Sequence, residues 1–145
     1  TEMSAAAAEV VLTPHPGEMR CLLAGYGLHE YLEKDRTQQA AALAKASGAH
    51  VVLKGAATVV AAPGGACALN SSGSVALATA GTGDVLAGMI GGLLAAGMSA
   101  WDAARAAVFI HGSAAEVAPG NGRSLIADDL LAGIGPALSL LTPFD

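Results

Sequence analysis

Apolar positions along this chain fall into two kinds of segment, short β-branched runs and longer stretches with helical spacing. An alanine run, Ser4–Ala8, leads into Glu9-Val10-Val11-Leu12, which ends at Thr13-Pro14-His15-Pro16-Gly17. That pattern predicts a strand, a turn and a helix over Gly17–Ala24, with Pro16 at the first helical position, where its missing N–H costs nothing. Asp35 predicts an N-cap with Gln38 at capping-box spacing. The helix it opens carries Ala40, Leu43 and Ala44 on one face and stops at Gly48. His50-Val51-Val52-Leu53 predicts a buried strand ending at Lys54-Gly55. Thr58–Ala61 and Cys67–Asn70 predict two more strands hinged at Pro63-Gly64-Gly65, and Val75–Ala78 predicts another.

After Gly81-Thr82-Gly83, the residues Leu86, Met89, Ile90, Leu93 and Leu94 recur at helical spacing as one apolar stripe. The uncharged run Val85–Trp101 approaches bilayer-spanning length, about 17–25 residues. It holds Gly88, Gly91, Gly92 and Gly97 and follows Asp84 directly, which predicts a buried helix of a soluble protein. Ser99 caps the next helix, through Ala115. The last helical region is expected from Ala127 to Leu141 with a break at Gly135-Pro136. Strands alternating with helices indicate an α/β fold with helices layered on a sheet.

A length of 145 residues suits one domain or part of one. The 53% hydrophobic content excludes intrinsic disorder, and the small aliphatic character, with 3% aromatics and 19 Gly, suits tightly packed layers. Seven Lys and Arg residues scattered from Arg20 to Arg123, with a net charge of -5, exclude a basic face for nucleic acid or an anionic membrane. Cys21 and Cys67 lie far apart and form no CxxC, so the expectation is two buried thiols in a reducing cytoplasm. No basic and then apolar leader is visible after Thr1-Glu2.

The sharpest chemical signal is Ala78-Thr79-Ala80-Gly81-Thr82-Gly83-Asp84. Its glycines let the backbone turn tightly and approach a ligand, and the helix that follows directs unpaired N–H groups and its positive dipole end into the turn. Phosphate is the natural occupant. Asp84, in the first helical turn, would stand beside that phosphate and could accept the proton of an attacking hydroxyl; the plainer role is to complement the helix dipole. Leu86 stands where a dinucleotide fingerprint needs its third glycine, and no P-loop pattern occurs. Lys54-Gly55-Ala56-Ala57-Thr58 follows a strand and could contact phosphate or nucleotide, although such a segment taken alone is more often a solvated strand end. His15, at another strand's carboxyl end, lies where ligands of open α/β sheets bind, or else caps its own turn. His111 shares an apolar face with Ala104, Ala107 and Val108 and is expected to be a hydrogen-bonded core histidine. The four histidines lack zinc-like spacing, so no structural metal is expected. The acids Asp128-Asp129 suit a helix start, and Trp101 and Tyr26 suit packing.

Taken in order, Leu12-Thr13-Pro14-His15-Pro16-Gly17-Glu18, Leu53-Lys54-Gly55 with Thr58, Asn70-Ser71-Ser72-Gly73 and Ala80-Gly81-Thr82-Gly83-Asp84-Val85-Leu86-Ala87-Gly88 resemble the ADP/ATP-dependent NAD(P)H-hydrate dehydratases. His111-Gly112, Arg123-Ser124-Leu125 and Asp128-Asp129-Leu130 continue the match. The resemblance implies a ribokinase-like α/β fold, helices packed on a mainly parallel central sheet, of which residues 1–145 would be the C-terminal half of a single catalytic domain. It implies repair of NADH or NADPH hydrated at C6 of the nicotinamide ring, with ADP or ATP as phosphoryl donor and Mg²⁺ bridging its phosphates. By the same resemblance Asp84 would be the catalytic base, Gly81, Thr82 and Gly83 an anion hole, and Lys54, Gly55, Ala56, Ala57, Thr58 and Gly83 the nucleotide site. His15 and Asp84 would contact the hydrated dinucleotide. The implied partners are that substrate, a missing N-terminal half and further copies of the chain as a homo-oligomer, with no nucleic acid and no membrane, in the cytoplasm. A ribokinase-like small-molecule kinase of the hydroxymethylpyrimidine or thiazole type and an inactive nucleotide-binding fragment remain alternatives.

Overall fold

The computed structural model describes residues 9–73, 75–118 and 125–141. The alanine run Ser4–Ala8 and the pair Arg123-Ser124 lie outside them. The first strand, β1 (Val11–Leu12), leads into α1 (Pro16–Gly25), a 3-10 turn at His29–Tyr31 and α2 (Arg36–Ser47), and the chain returns as β2 (His50–Leu53). β1 and β2 are parallel, with Val11 opposite His50 and Leu12 opposite Val51. β3 (Val59–Ala61) and β4 (Cys67–Leu69) then extend the sheet in the order β1-β2-β3-β4. The parallel pairing that the fold class calls for lies at β1 and β2, and the two pairings beyond it are antiparallel.

Side-chain alternation along the strands divides the core into two layers. Val51, Leu53, Val59 and Ala61 face Met19 and Leu23 of α1 and Ala40, Leu43 and Ala44 of α2. Val52 and Val60 face the other way, onto α3 (Thr82–Ala95) and α4 (Ala100–Val117), where Leu86, Ile90, Ala104, Ala107 and Val108 complete the layer. Each fully buried Leu or Val contributes roughly 1.5–3 kcal/mol over exposure, so the register is strongly specified: a slip of one residue would reverse both faces. Alanines lining α4 leave little bulk between helices. Against it packs α5 (Ala127–Leu141), where a Cβ at Gly133 would collide with the Ala114 carbonyl oxygen.

The structure departs from the sequence-based expectations at four places. Val75–Ala78 forms a 3-10 turn and not a strand. Its neighbours are drawn away from the sheet, because the Ser72 hydroxyl donates to the Phe109 carbonyl and the Thr82 hydroxyl reaches the Leu77 carbonyl. α5 continues through Pro136 without the expected break. Proline removes one helical hydrogen bond there, and packing on α4 through Gly133 holds the helix together. Cys21 and Cys67 are exposed, not buried. Cys21 lies off the α1 face that carries Met19 and Leu23, and Cys67 lies on the end strand β4. The run after Asp84 is less buried than expected: Ser99 caps the next helix as the sequence indicates, but of α3 only Thr82, Leu86 and Ile90 are buried. No helix among the described residues is long and apolar enough to cross a membrane.

Candidate active site

A cavity of about 860 Å³ opens at the carboxyl ends of β1 and β2. Five segments line it: His15-Pro16, the β2–β3 loop Lys54–Thr58, the stretch Asn70–Gly73 after β4, the turn Leu77–Asp84, and His111-Gly112 of α4. Every candidate residue named from the sequence therefore borders one space.

The Gly-rich turn is built around Gly81, whose φ of 87° lies in the left-handed region open to glycine. The hydroxyl of Thr82, buried at the first helical position, lies 2.7 Å from the Thr79 carbonyl and 2.8 Å from that of Leu77, which ties the turn shut. Asp84 N–H and Val85 N–H both donate to the Gly81 carbonyl. The N–H groups of Gly81 and Gly83 make no hydrogen bond among the described residues, and α3 has no side-chain cap. The macrodipole end of a 14-residue helix thus faces the cavity with amides that are unpaired among the described residues. Asp84, exposed, is the one carboxylate among the described lining residues.

Lys54 comes to the same turn from the sheet. Its N–H donates to the Pro14 carbonyl at 2.9 Å, which joins the ends of β1 and β2, and its side chain runs across to α3. The ammonium nitrogen stands 3.0 Å from where a Cβ on Gly83 would lie, so any larger residue there would press the lysine tip aside by a few tenths of an ångström. The field of Lys54 is felt around the cavity. Burial pushes the His111 imidazole below its ordinary value; its hydrogen bond to the Thr82 carbonyl acts in the opposite sense, and the Lys54 charge adds to the lowering. Because a carbonyl only accepts, His111 Nε2 carries the proton in that 2.8 Å bond.

His15 caps α1. Its Nδ1 accepts from Glu18 N–H at 3.1 Å while Glu18 Oε2 accepts from His15 N–H at 2.7 Å, a reciprocal capping box. The His15 backbone N–H holds the Glu18 carboxyl below its usual value; slight burial opposes this, and the charges of His15 and Lys54 reinforce it. His15 both caps the helix and borders the cavity: its side chain is exposed overall, with Nε2 3.4 Å from Glu18 Oε1. In the β2–β3 loop, Thr58 Oγ1 donates back to the Gly55 carbonyl at 3.1 Å.

Two wall segments carried no role in the sequence. Asn70–Gly73 folds on itself, with Asn70 Nδ2 donating to the Ser72 carbonyl, and is fixed to α4 when Gly73 N–H donates to Glu116 Oε1 at 2.7 Å. Gly112 permits this docking, because a Cβ there would lie 2.7 Å from the Ser72 carbonyl carbon. A glycine inside a helix costs about 1 kcal/mol relative to alanine, and that cost was the available signal. His111, read as a core histidine, is both buried and part of the wall.

The description NAD(P)H-hydrate dehydratase belongs to the family model that matches residues 1–134. The chain belongs to that family. It is 46% identical over 129 residues to the ADP-dependent (S)-NAD(P)H-hydrate dehydratase of Neisseria meningitidis, covering 88% of this chain and 42% of the relative. It is 45% identical to the bifunctional NAD(P)H-hydrate repair enzyme of Escherichia coli, covering 83% of this chain and 23% of that one. A crystal structure of the Bacillus subtilis ADP/ATP-dependent NAD(P)H-hydrate dehydratase, co-crystallised with ATP/Mg²⁺ and soaked with CoA, superposes with a TM-score of 0.80 at 36% identity, covering 92% of this chain and 50% of that chain. A ribokinase-like superfamily protein of Enterococcus faecalis superposes with a TM-score of 0.74 at 26% identity, covering 90% and 44%. This member of the NAD(P)H-hydrate dehydratase family has the ribokinase-like layered fold and spans about half, or less, of the relatives it matches.

Proposed function

We propose that residues 1–145 form the C-terminal, phosphate-handling part of a single NAD(P)H-hydrate dehydratase domain, which restores NADH or NADPH from the C6-hydrated form at the expense of ADP or ATP. One observation carries the reading: free amides of Gly81 and Gly83, the Lys54 ammonium and the Asp84 carboxylate converge on one cavity. An anion site with a cation and an acid that has no partner among the described residues suits phosphoryl transfer to a hydroxyl, which is mostly positioning and electrostatic work.

Hydroxide is a poor leaving group, so the C6 hydroxyl is first made into a phosphate ester. Asp84 takes the hydroxyl proton as the oxygen bonds to the terminal phosphorus of the nucleotide, whose bridging P–O bond breaks to leave AMP or ADP. The Gly81–Gly83 turn and Lys54 hold the charge on the transferring group. The lone pair of the ring nitrogen then expels phosphate from C6, and loss of a C5 proton restores the dihydronicotinamide double bond. Lys54–Thr58 and Gly83 hold the nucleotide, and His15 with Asp84 meets the hydrated ring. Among the described residues no three His, Cys, Asp or Glu side chains form a metal cage, so the donors suit Mg²⁺ carried largely by phosphate oxygens and water, with Asp84 within the same cavity. Such an ion neutralises phosphate charge. The remaining wall of the dinucleotide site, in this proposal, comes from an N-terminal half that pairs along β1, with assembly into a homo-oligomer in the cytoplasm.

The test is recovery of absorbance at the reduced-nicotinamide band from hydrated NADH with ADP or ATP, run on the chain alone and together with the N-terminal half of the domain. Recovery with release of inorganic phosphate is expected when both halves are present. Accumulation of a stable phosphomonoester would show a kinase instead, and absence of either product would overturn the reading.

A further inference from the structure

Arg36 opens α2, far from the Gly-rich turn in sequence, and no ion pair among the described residues includes it. Its guanidinium reaches beneath the end of β2. Nη2 donates to the Leu53 carbonyl at 2.8 Å and to the Lys54 carbonyl at 2.9 Å. Nη1 lies 2.5 Å from where a Cβ on Gly55 would stand, and Gly55 has a φ of 139°, so the cation occupies the space that glycine leaves. Nε is buried with no hydrogen-bond partner among the described residues. A half-buried cation without a counter-ion is unfavourable by itself, and burial weighs against its charge.

The two carbonyls that Arg36 gathers bracket the backbone of Lys54. Lys54 N–H is already held by the Pro14 carbonyl, so both sides of this residue are fixed, and the direction of its Cα–Cβ bond with them. From there the side chain crosses to Gly83. The following loop is tightly held as well. Ala57 has a φ of 54°, a strained value for a residue with a side chain, and Thr58 closes the loop onto the Gly55 carbonyl.

We infer that Arg36 is a positioning residue: it fixes the end of β2 so that the Lys54 ammonium stands at the N-terminal turn of α3, preset for a phosphate group of the nucleotide. The inference rests on the nucleotide reading of the cavity given above. A planar fork serves this purpose because two carbonyls and a close backbone approach are met at once, which a lysine in the same place does not provide.

The test is a double-mutant cycle in the complete dehydratase domain, with ADP as the varied co-substrate and melting midpoints recorded for every variant. Arg36→Met is expected to raise the ADP KM about tenfold, the scale of a displaced charged hydrogen bond, and to leave the KM for hydrated NADH unchanged. In a Lys54→Ala background the same substitution should raise the ADP KM less than about twofold, because its effect passes through Lys54. Arg36→Lys, which keeps the charge and stem, should fall between, and it carries the same cycle if Arg36→Met does not fold. Multiplicative effects in the double variant would overturn the positioning role and leave the nucleotide site standing. An unchanged ADP KM in Lys54→Ala alone would overturn the nucleotide reading and this inference with it.

Discussion

The N-termini of α2 and α3 face opposite demands. At α2, Asp35 in an extended conformation accepts a hydrogen bond from Gln38 N–H, so the helix satisfies its own first turn. α1 and α4 do the same through His15 and Ser99. At α3, the position before the first helical residue is Gly81 in the left-handed region, with no side chain to cap anything. A side-chain cap is worth about 1 kcal/mol, so an uncapped helix gives up stability that its neighbours keep. In return, its amides and dipole stay available to an anion. The difference separates helix ends that hold the fold from the one proposed to hold a ligand.

Four substitutions or conditions sharpen that contrast, beginning with the largest expected effect. Asp84→Asn should lower dehydration by about two to four orders of magnitude, the scale of a positioned base, while direct ADP binding changes little. Near-normal turnover would return Asp84 to a helix-dipole role. Gly83→Ala should move stability and function in opposite directions. Alanine is favoured over glycine inside a helix by up to about 1 kcal/mol, yet its Cβ would displace the Lys54 ammonium, so the melting midpoint should hold or rise while the ADP KM climbs about tenfold.

The control for both is Ser99→Ala, which removes the cap of α4 from a position off the cavity wall. It should cost about 1 kcal/mol in a denaturant titration and leave both KM values unchanged. A shift in the ADP KM here would show that capping and ligand binding are not separate properties of these helix ends. The smallest effect concerns His111. Its folded-state pKa lies below the ordinary 6.5, so the unfolded chain binds a proton first as pH falls. The stability due to the neutral imidazole is therefore complete above about pH 6.5 and declines as pH drops from there toward the folded value. Denaturant midpoints measured from pH 8 to pH 5 should fall in that window, and His111→Asn should flatten the fall.

Much of this molecule was legible in its sequence for local reasons. Asp35, Gly48 and Ser99 mark helix ends through hydrogen bonds three or four residues away. His50–Leu53 shows itself as a strand by continuous apolar character, because both of its faces are covered. Gly81-Thr82-Gly83-Asp84 was visible as a tight turn at an uncapped helix start because glycine conformation and helix polarity are properties of the chain itself. The expectation of a break at Gly135-Pro136 followed the same local logic and failed, since contact with α4 outweighs one lost hydrogen bond.

What the sequence determined alone was the set of elements and the chemical types at their ends, since these depend on neighbours within about one helical turn. Only the tertiary structure decided which of those ends meet. Lys54 and Gly83 are brought into contact across the space between sheet and helix, and Arg36 reaches the carbonyls of Leu53 and Lys54 from a different helix. Neither contact has a periodicity or spacing that betrays it. The fate of Cys21, Cys67 and Val75–Ala78 was settled in the same way. Exposure depends on which face the rest of the fold covers, and a short apolar run becomes a strand only when another strand lies beside it to accept its hydrogen bonds.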